Sequence, residues 1–308
     1  MNDMTHRVLI DTDPGLGKRS ADVDDGLALF FMFNHPDAFE IKGITTVFGN
    51  TKVKTGFRLL KKYLDLVGRE DTPHYLGASS SEDLGTTTLA SEFLINRVKE
   101  HPKDLTLIAL GPLTNVATAY QLYPEILDDI KELVVMGGVL NPINPFSERE
   151  DEIGRQFFEN AEFNFMSDPK ATQIIIEAET STPRKIFGLD ICCKAVFKKA
   201  HLQKIESIDR PIPQYITKNV VHWLKIWEFS DKKGFFPFDT FVPIYLLHPN
   251  LFEFASYQLR VDLETYPGKI EIIDENPQNE NSVDYSVDFA INNGEEQFLK
   301  ILITGLIQ

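Results

Sequence analysis

The sequence has little cysteine, and what it has is poorly placed for a covalent or metal cross-link. Its 308 residues include two cysteines, Cys192 and Cys193, which are adjacent in the chain. Adjacent cysteines have poor geometry for an ordinary disulfide, and two are too few for a structural zinc site. We therefore expect both to be small buried side chains.

Positive charge is also scarce, and long apolar runs are absent. The chain has 31 Lys and Arg against 46 Asp and Glu, a formal net charge of −15. Such a charge opposes binding to phosphate backbones and anionic lipid, so we expect no nucleic-acid or membrane partner. The longest apolar runs, such as Leu27 to Phe33, are far shorter than the roughly 20 residues that cross a bilayer. Met1 to Arg7 lack the charged-then-apolar layout of a secretory signal, so we expect a cytoplasmic protein.

Apolar segments with strand and helix signatures alternate along the chain. The predicted strands are 8–12, 39–48, 105–110, 133–136, 185–189, 256–263 and 283–290. The predicted helices are 23–34, 51–67, 91–100, 113–122, 171–178, 211–230 and 295–306. This order predicts an α/β fold with a mainly parallel central sheet and helices on both faces. No composition shift marks a boundary, so we expect residues 1–308 to form a single domain.

In such sheets, ligands bind beyond the carboxyl ends of the strands, because loops and helix amino termini meet there. The polar clusters of this sequence lie at those ends. Asn141 to Glu159 is rich in charged residues, Pro and Gly, and is typical of a long loop that acts as a lid.

Five aspartates converge on one predicted strand end and one predicted helix start. Asp11 and Asp13 lie at the end of the first strand, while Asp22, Asp24 and Asp25 lie at the start of the first long helix. In a purely structural interpretation, Asp22 caps the helix, while Asp24 and Asp25 interact favourably with the positive end of its dipole. Each would contribute about 0.3–2 kcal/mol to stability. That interpretation does not explain Asp11 and Asp13, whose repulsion of the second group would be costly without a cation between them. A metal site and a helix cap both remain open at this point.

Seven sequence blocks, taken in order, resemble those of the nucleoside hydrolase family. They are Asp11 to Gly15 with Asp24-Asp25, Gly43 to Asn50, Leu110 to Asn115, Val134 to Gly138, Ala161 to Asn164, Gly188 to Asp190, and Phe238-Asp239. Each block is weak alone, but seven in family order are specific and cover most of the chain. The resemblance implies a Rossmann-like nucleoside hydrolase fold and an N-ribohydrolase activity.

The resemblance also implies a calcium site and a catalytic base. Ca²⁺ would be bound by the side chains of Asp13, Asp25 and Asp239, with the backbone carbonyl of Thr114 as a further ligand. Calcium prefers six to eight oxygens, so ribose hydroxyls and a water would complete its coordination. Asp13 would be the general base for that water, which attacks the anomeric carbon of the ribose.

The ribose-binding residues follow from the same resemblance. Asp24, Asn50, Glu162 and Asn164 would hold the ribose hydroxyls, and Met136 would pack against the sugar. The substrate would be a small-molecule nucleoside, cleaved to free base and ribose in purine or pyrimidine salvage. Relatives of this kind are usually dimers or tetramers, so we expect a homodimer or homotetramer.

One departure from the family pattern is an insertion in the aspartate motif. Leu16 to Val23 fill a gap where the family normally has one residue. A loop inserted between a strand and a helix costs little closure entropy, because that cost grows only logarithmically with length. Lys18 and Arg19 in this loop either reach over the site and favour an anionic substrate or are solvated surface charges.

A second departure concerns protonation of the leaving base. Phe238 occupies the position where inosine-uridine members carry a histidine that helps the base depart. Trp223 and Trp227 lie four residues apart on one predicted helix face and could stack on a purine, with solvent or His222 supplying the proton. The alternative is that this tryptophan pair belongs to the hydrophobic core.

Two other functions stay open at the level of sequence. One is a catalytically weak paralogue that binds ribose or nucleosides and keeps the calcium site. The other is an Asp-x-Asp phosphatase, which is weaker because it leaves Asn50, Glu162 and Asn164 without a role.

Overall fold

The computed structural model of the chain describes residues 5–141, 160–228, 233–275, 277 and 282–308. The strands in these residues are β1 (His6–Thr12), β2 (Phe39–Thr46), β3 (His74–Leu76), β4 (Thr106–Ala109), β5 (Glu132–Met136), β6 (Arg184–Phe187), β7 (Phe197–Lys198), β8 (Gly234–Phe235), β9 (Phe252–Val261), β10 (Ile270–Asp274) and β11 (Val283–Phe289).

The described helices connect these strands. They are α1 (Asp24–Phe33), α2 (Val53–Val67), α3 (Leu89–Glu100), α4 (Thr114–Leu122), α5 (Phe163–Ser167), α6 (Pro169–Ile176), α7 (Leu189–Cys192), α8 (Lys199–Glu206), α9 (Pro211–Trp227), α10 (Phe241–Leu247) and α11 (Gly294–Leu306). Short 3-10 helices lie at Ser81–Asp83, Pro124–Ile126, Phe238–Thr240 and Pro249–Leu251.

Nine of the strands form one sheet in the order β10-β9-β11-β6-β5-β4-β1-β2-β3. The pairs from β3 to β11 across the sheet are parallel, and β9 and β10 join as antiparallel strands at one edge. The chain builds the sheet outward from β1 through β2 to β3, then returns to the other side of β1 with β4. The crevice between β1 and β4 is therefore the point where the strand order reverses, and ligands of open α/β sheets bind at such points.

Alternate residues of the central strands point into two different hydrophobic cores. Val8, Ile10 and Ile108 belong to one core, together with apolar residues of α1, α2, α9, α10 and α11. Leu9 and Leu107 belong to the other, together with residues of α3, α4 and α6. Helices thus cover both faces of the sheet, and the predicted α/β fold with a mainly parallel sheet is confirmed.

Each predicted strand and helix has a counterpart in the structure, within a few residues at its ends, whereas β3, β7, β8, β10, α5, α7 and α8 were not predicted. The predicted helix at 23–34 is α1, and the predicted helix at 211–230 is α9 as far as Trp227. Of the predicted lid, residues 142–159 lie outside the described residues. Within the described part of the chain, no helix is long and apolar enough to cross a membrane.

Arg184 at the start of β6 is a charged side chain in the core, with 2% of its surface exposed. Its Nη1 donates to the carbonyl oxygens of Ile175 and Ile176 at the end of α6, at 3.0 and 2.9 Å. Burial lowers the pKa of Arg184 to about 10. The guanidinium therefore satisfies carbonyls that the last turn of α6 leaves without intrahelical donors.

We predict that Arg184→Met lowers the free energy of unfolding by about 1–3 kcal/mol, because two buried carbonyls lose their donor. Arg260→Met is the matched control, since Arg260 makes an exposed ion pair with Glu271 and its loss is expected to cost less than about 1 kcal/mol. Urea denaturation of both variants measures the difference. Equal losses in the two variants would show that Arg184 does not stabilise the end of α6.

Candidate active site

A cavity of about 460 Å³ opens at the carboxyl ends of the central strands. The described residues that line it come from the loops after β1, β2, β4 and β5 and from α1, α5, α7 and α9. They are Asp13, Ser20, Asp22, Asp24, Asp25, Asn50, Leu110, Met136, Glu162, Phe163, Asn164, Leu189, Trp223, Trp227, Phe238 and Asp239. Ten of the eleven residues assigned from the sequence to catalysis, substrate or metal thus meet at one cavity, and Thr114 is the one that is not among its described lining residues.

Asp13 follows β1 directly and is held by close backbone approach from two sides. Its Oδ2 accepts the backbone N–H of Asn50 at 2.5 Å. A Cβ atom at Gly49 would lie 2.0 Å from this Oδ2, and one at Gly111 would lie 2.8 Å from Oδ1. Gly49 also has a φ of +149°, a conformation that side chains rarely adopt. Glycine at both positions therefore allows the Asp13 carboxyl to sit between the loops after β2 and β4.

Asp25, in the first turn of α1, is tied to the end of β1. Its Oδ1 accepts hydrogen bonds from the hydroxyl of Thr12 and from the backbone N–H of Asp13, the latter at 3.1 Å. The side-chain amide of Asn50 lies 3.4 Å from its Oδ2. These contacts join the strand end, the helix start and the loop after β2 into one polar unit.

The carboxyl oxygens of Asp24, Asp25 and Asp239 come together although Asp239 lies far along the chain. One ligand atom from each lies within 4.8 Å of the others, and all three residues are buried. Asp239 reaches this position on the 3-10 turn Phe238–Thr240, where its backbone N–H points to Asp24 Oδ2 at 3.4 Å. Burial, followed by the neighbouring carboxylates, raises the pKa of Asp24 and Asp239 well above the ordinary aspartate value.

This donor set fits a hard divalent cation. All ligand atoms are carboxylate oxygens, which calcium and magnesium prefer, and a cation would offset the repulsion that raises these pKa values. Among the described residues, this trio is the group with metal-ligand spacing. It includes Asp24, which the resemblance assigns to ribose. Asp13 lies outside that spacing but next to Asp25, and its pKa is raised by burial first and then by the negative charge of Asp25.

Asp11 forms a fixed polar support beneath the cavity. Its Oδ1 accepts from the Thr45 hydroxyl at 2.6 Å and from the Asn115 side-chain amide at 2.8 Å. The Asn115 oxygen in turn accepts the backbone N–H of Ala78 at 2.9 Å. Asp11 Oδ2 is buried without a hydrogen-bond partner, and burial raises the pKa of this carboxyl to about 7. Asp11 therefore ties the ends of β1 and β2 to α4, which in turn holds the loop after β3, and it is not among the described lining residues.

Glu162 and Asn164 begin α5 and present polar groups to the opposite side of the cavity. Glu162 Oε1 accepts the backbone N–H of Asn164 at 2.7 Å, and its Oε2 accepts that of Gly138 at 3.1 Å. The Asn164 amide donates to the carbonyl oxygens of Leu110 and Met136, at 3.0 and 3.2 Å. Burial raises the pKa of Glu162 to about 7. Both side chains are thereby oriented before any ligand arrives.

The tryptophan pair on α9 both lines the cavity and packs in the core. The rings of Trp223 and Trp227 contact edge to face, with centroids 6.3 Å apart. Trp227 packs against Phe236 at 5.3 Å, and Phe236 against Phe238 at 5.6 Å. The two interpretations of this pair were therefore not exclusive, because one indole face can pack while another borders the cavity.

Other residues considered from the sequence do not reach the described cavity wall. Thr114 is buried at the start of α4, where its hydroxyl donates to Asp168 Oδ2 at 2.6 Å. Lys18, Arg19 and His222 are exposed and are not among the lining residues. The hypothesis that His222 protonates the leaving base thus has no support from its position, because its side chain points to solvent. Cys192 is fully buried, as expected, and Cys193 is half-buried.

The sequence did not indicate that Asp22 and Ser20 line the cavity or that Asp168 binds Thr114. Asp22 and Ser20, from the inserted loop, line the cavity. The backbone N–H of Asp22 donates to Asn50 Oδ1 at 2.8 Å, and the Asn50 amide returns a bond to the Asp22 carbonyl. Asp168 caps α6 through the N–H of Ala171 and receives the Thr114 hydroxyl. The Asp-Pro pair at the start of α6 is a helix-start signal, but nothing in the sequence linked it to Thr114.

Comparison with known proteins gives one consistent family. The profile of the family described as inosine-uridine preferring nucleoside hydrolase matches residues 8–300. The chain is 26% identical over 293 residues to probable uridine nucleosidase 1 of Oryza sativa subsp. japonica, covering 85% of this chain and 84% of that protein. It is 27% identical over 252 residues to the inosine-uridine preferring nucleoside hydrolase of Crithidia fasciculata, covering 73% of each.

Solved structures show the same fold. A plant nucleoside hydrolase matches with a TM-score of 0.82 at 22% identity, covering 99% of both chains. The purine-preferring ribonucleoside hydrolase of Gardnerella vaginalis matches with a TM-score of 0.80 at 21% identity, covering 97% of this chain and 99% of that one.

The family match spans nearly the whole chain, and the acidic cavity lies at the strand ends where the resemblance predicted it. The Asp-x-Asp phosphatase alternative has no support in these comparisons. The chain therefore belongs to the inosine-uridine preferring nucleoside hydrolase family and is a nucleoside hydrolase.

Proposed function

We propose that this protein hydrolyses the N-glycosidic bond of ribonucleosides to free base and ribose, with a Ca²⁺ ion in the aspartate cluster and Asp13 as general base. The observation that carries the proposal is the convergence of Asp24, Asp25 and Asp239 beside Asp13 on one cavity. Such buried carboxylates repel one another strongly, and a divalent cation is the simplest partner that offsets this cost.

The proposed ligands are the side chains of Asp13, Asp25 and Asp239 with the carbonyl of Thr114, and Asp24 is near enough to join them or to hold ribose. When bound, Ca²⁺ supplies Lewis-acid chemistry, which lowers the pKa of a water and orients it. A chelated ribose diol would be held at the same end of the cavity by Asn50, Glu162 and Asn164. Met136, the last residue of β5, lies beside Asn164 and offers an apolar contact to the sugar.

Asp13 is well suited to take the proton of the attacking water. Its carboxyl faces the cavity, while Asn50, Gly49 and Gly111 fix its orientation. Burial and the nearby Asp25 raise the pKa of Asp13, and a raised pKa makes a carboxylate a stronger base. The bond from ribose to base then breaks through an oxocarbenium-like sugar, whose positive charge the carboxylates stabilise.

Several attributes stay predictions that depend on the proposed activity. They are the single domain over residues 1–308, the cytoplasmic location, the part in purine or pyrimidine salvage and the homodimeric or homotetrameric state. The alternative function, a weak paralogue that binds ribosides without turnover, is separated from the enzyme by the first measurement below.

We expect Asp13→Asn to lower kcat/KM for ribonucleosides by about 10²- to 10⁴-fold, because the amide cannot accept the proton of the water. Release of free base from a panel of purine and pyrimidine ribosides, with added Ca²⁺ and with a chelator, measures the effect. Asp37→Asn is the control, since Asp37 is exposed and remote from the cavity. Turnover of Asp13→Asn at the wild-type rate would show that Asp13 is not the base. Tight binding of ribosides by the wild type without turnover would favour the alternative function, a paralogue that only binds them.

We also expect Ca²⁺ to stabilise the protein more at pH 8 than at pH 5. Burial raises the pKa of Asp11 and Glu162 to about 7, and that of Asp24 and Asp239 well above its ordinary value. Without metal, the folded protein therefore binds more protons than the unfolded chain between about pH 4 and pH 7. The free energy of unfolding of the metal-free protein thus falls as the pH rises through that range. Ca²⁺ competes with protons for the same oxygens and stabilises most when they are ionised.

Thermal unfolding at both pH values, with and without Ca²⁺, measures this linkage. At 100 times its Kd, Ca²⁺ is expected to add about 2.7 kcal/mol to the free energy of unfolding. Asp239→Asn is expected to lose most of the Ca²⁺-dependent shift, while Asp37→Asn keeps it. A shift of the same size in Asp239→Asn would rule out this residue as a ligand.

A further inference from the structure

The described walls of the cavity are rich in carboxyl groups. Six carboxyl residues line it, namely Asp13, Asp22, Asp24, Asp25, Glu162 and Asp239. Among the described lining residues there is no lysine, arginine or histidine. A cation inside such a walled cleft is attracted by all of these carboxylates, because the low-dielectric walls screen them less than water does.

The side of the cavity formed by α9 and the 3-10 turn is aromatic. Trp223, Trp227 and Phe238 line it, and Phe163 adds a fourth ring that is 37% exposed. Trp223 and Trp227 meet edge to face, so they present differently oriented ring surfaces to a flat ligand. Faces of tryptophan and phenylalanine bind cations through their ring quadrupoles, and tryptophan does so best.

The aromatic residues cannot supply a proton to a departing base. Phenylalanine has no donor, and an indole N–H donates a hydrogen bond without releasing its proton. A neutral purine or pyrimidine leaves as an anion unless it is protonated, and this acidic cavity would repel that anion. A base that is already a cation leaves as a neutral molecule and avoids both difficulties.

We propose that the preferred substrates are ribosides whose base is a cationic aromatic ring, such as a pyridinium. This inference rests on the proposed ribohydrolase function and names its substrate class. The positive ring lies against Trp223, Trp227 and Phe238, while the ribose occupies the carboxylate end beside Asp13.

The reaction balances without a leaving-group acid. Water forms the new bond from its oxygen to the anomeric carbon, and Asp13 takes one of its protons and later returns it to solvent. The bond from that carbon to the ring nitrogen breaks, and its electron pair stays on the nitrogen and neutralises the ring. The products are ribose, a neutral base and one proton.

Asp22 is the carboxylate that the inserted loop adds to this cavity. It is neither the proposed base nor a proposed metal ligand, so its variant tests recognition of the positive ring. It is half-buried at the cavity edge, with its Oδ1 accepting the N–H of Val23 at 2.6 Å. An asparagine keeps an oxygen for that bond and removes the charge. Asp22→Asn should therefore weaken selection for a cationic ring without displacing the loop.

The first measurement compares kcat/KM for nicotinamide riboside, inosine and uridine with the full chain and saturating Ca²⁺. We expect nicotinamide riboside to exceed both neutral nucleosides by about 100-fold or more, the size of a typical contribution from a general acid that it does not need. Equal or better hydrolysis of inosine or uridine overturns this proposal while leaving the ribohydrolase function intact. Absence of turnover on all three overturns the proposed function as well.

Variants of the aromatic wall test the reason for the preference. Trp223→Leu should lower kcat/KM for nicotinamide riboside by about 10-fold through loss of the cation contact. Tyr266→Leu is the matched control, because Tyr266 is 44% exposed and is not a lining residue. Phe238→His, which adds a proton donor, should raise activity on inosine relative to that on nicotinamide riboside, whereas Phe238→Leu should not raise this ratio.

Asp22→Asn gives the deciding comparison. We expect its KM for nicotinamide riboside to rise about 5- to 10-fold, with a smaller change for inosine, when both are measured at saturating Ca²⁺. A loss confined to inosine would instead identify Asp22 as a proton donor to neutral bases and overturn the proposal. Circular dichroism and thermal unfolding of each variant check that it is folded.

Discussion

The repulsion among buried carboxyl groups at the end of β1 and the start of α1 is the constraint on which the rest of the site depends. Asp24, Asp25 and Asp239 bring oxygens within 4.8 Å of one another in a buried position. Left alone, this arrangement opposes folding, since burial raises the pKa of all three carboxyls and neighbouring carboxylates raise the pKa of Asp24 and Asp239 further. A ligand that carries positive charge at this point therefore turns an unfavourable cluster into a binding site.

The fold maintains this cluster through supports that do not touch the cavity. Asp11, held by Thr45 and Asn115, links the ends of β1 and β2 to α4. Gly49 and Gly111 let two loops close on Asp13. Because these groups are fixed by backbone and side-chain hydrogen bonds, the carboxylates cannot relax apart, and the cavity keeps its charge. The same rigidity connects the proposed metal chemistry with the proposed preference for a cationic base.

The sheet and the acidic site could be predicted from the residues alone. The contacts of the remaining site residues could not, for physical reasons. Strand-helix alternation predicted the parallel sheet, and the paired aspartates after β1 and before α1 predicted an acidic site. His222 is exposed and is not among the described lining residues, because helical spacing alone does not determine which face of α9 borders the cavity. Asp22 was interpreted from the sequence as a possible helix cap, whereas the inserted loop brings it to the cavity wall. The partnership of Thr114 with Asp168 had no sequence signal, since the two are 54 positions apart.

The sequence by itself determined the alternation of elements, the local order Asp13, Asp24 and Asp25, and the presence of aromatic residues on α9. These are short-range properties, set by hydrophobic period and by neighbours in the chain. The family resemblance placed Asp239 with Asp25, but only the tertiary structure shows that Asp239 meets Asp24 across 215 positions and that Trp223, Trp227 and Phe238 share one wall with the carboxylates. Such distances depend on strand order and helix packing, because only the folded sheet brings remote strand ends to one edge.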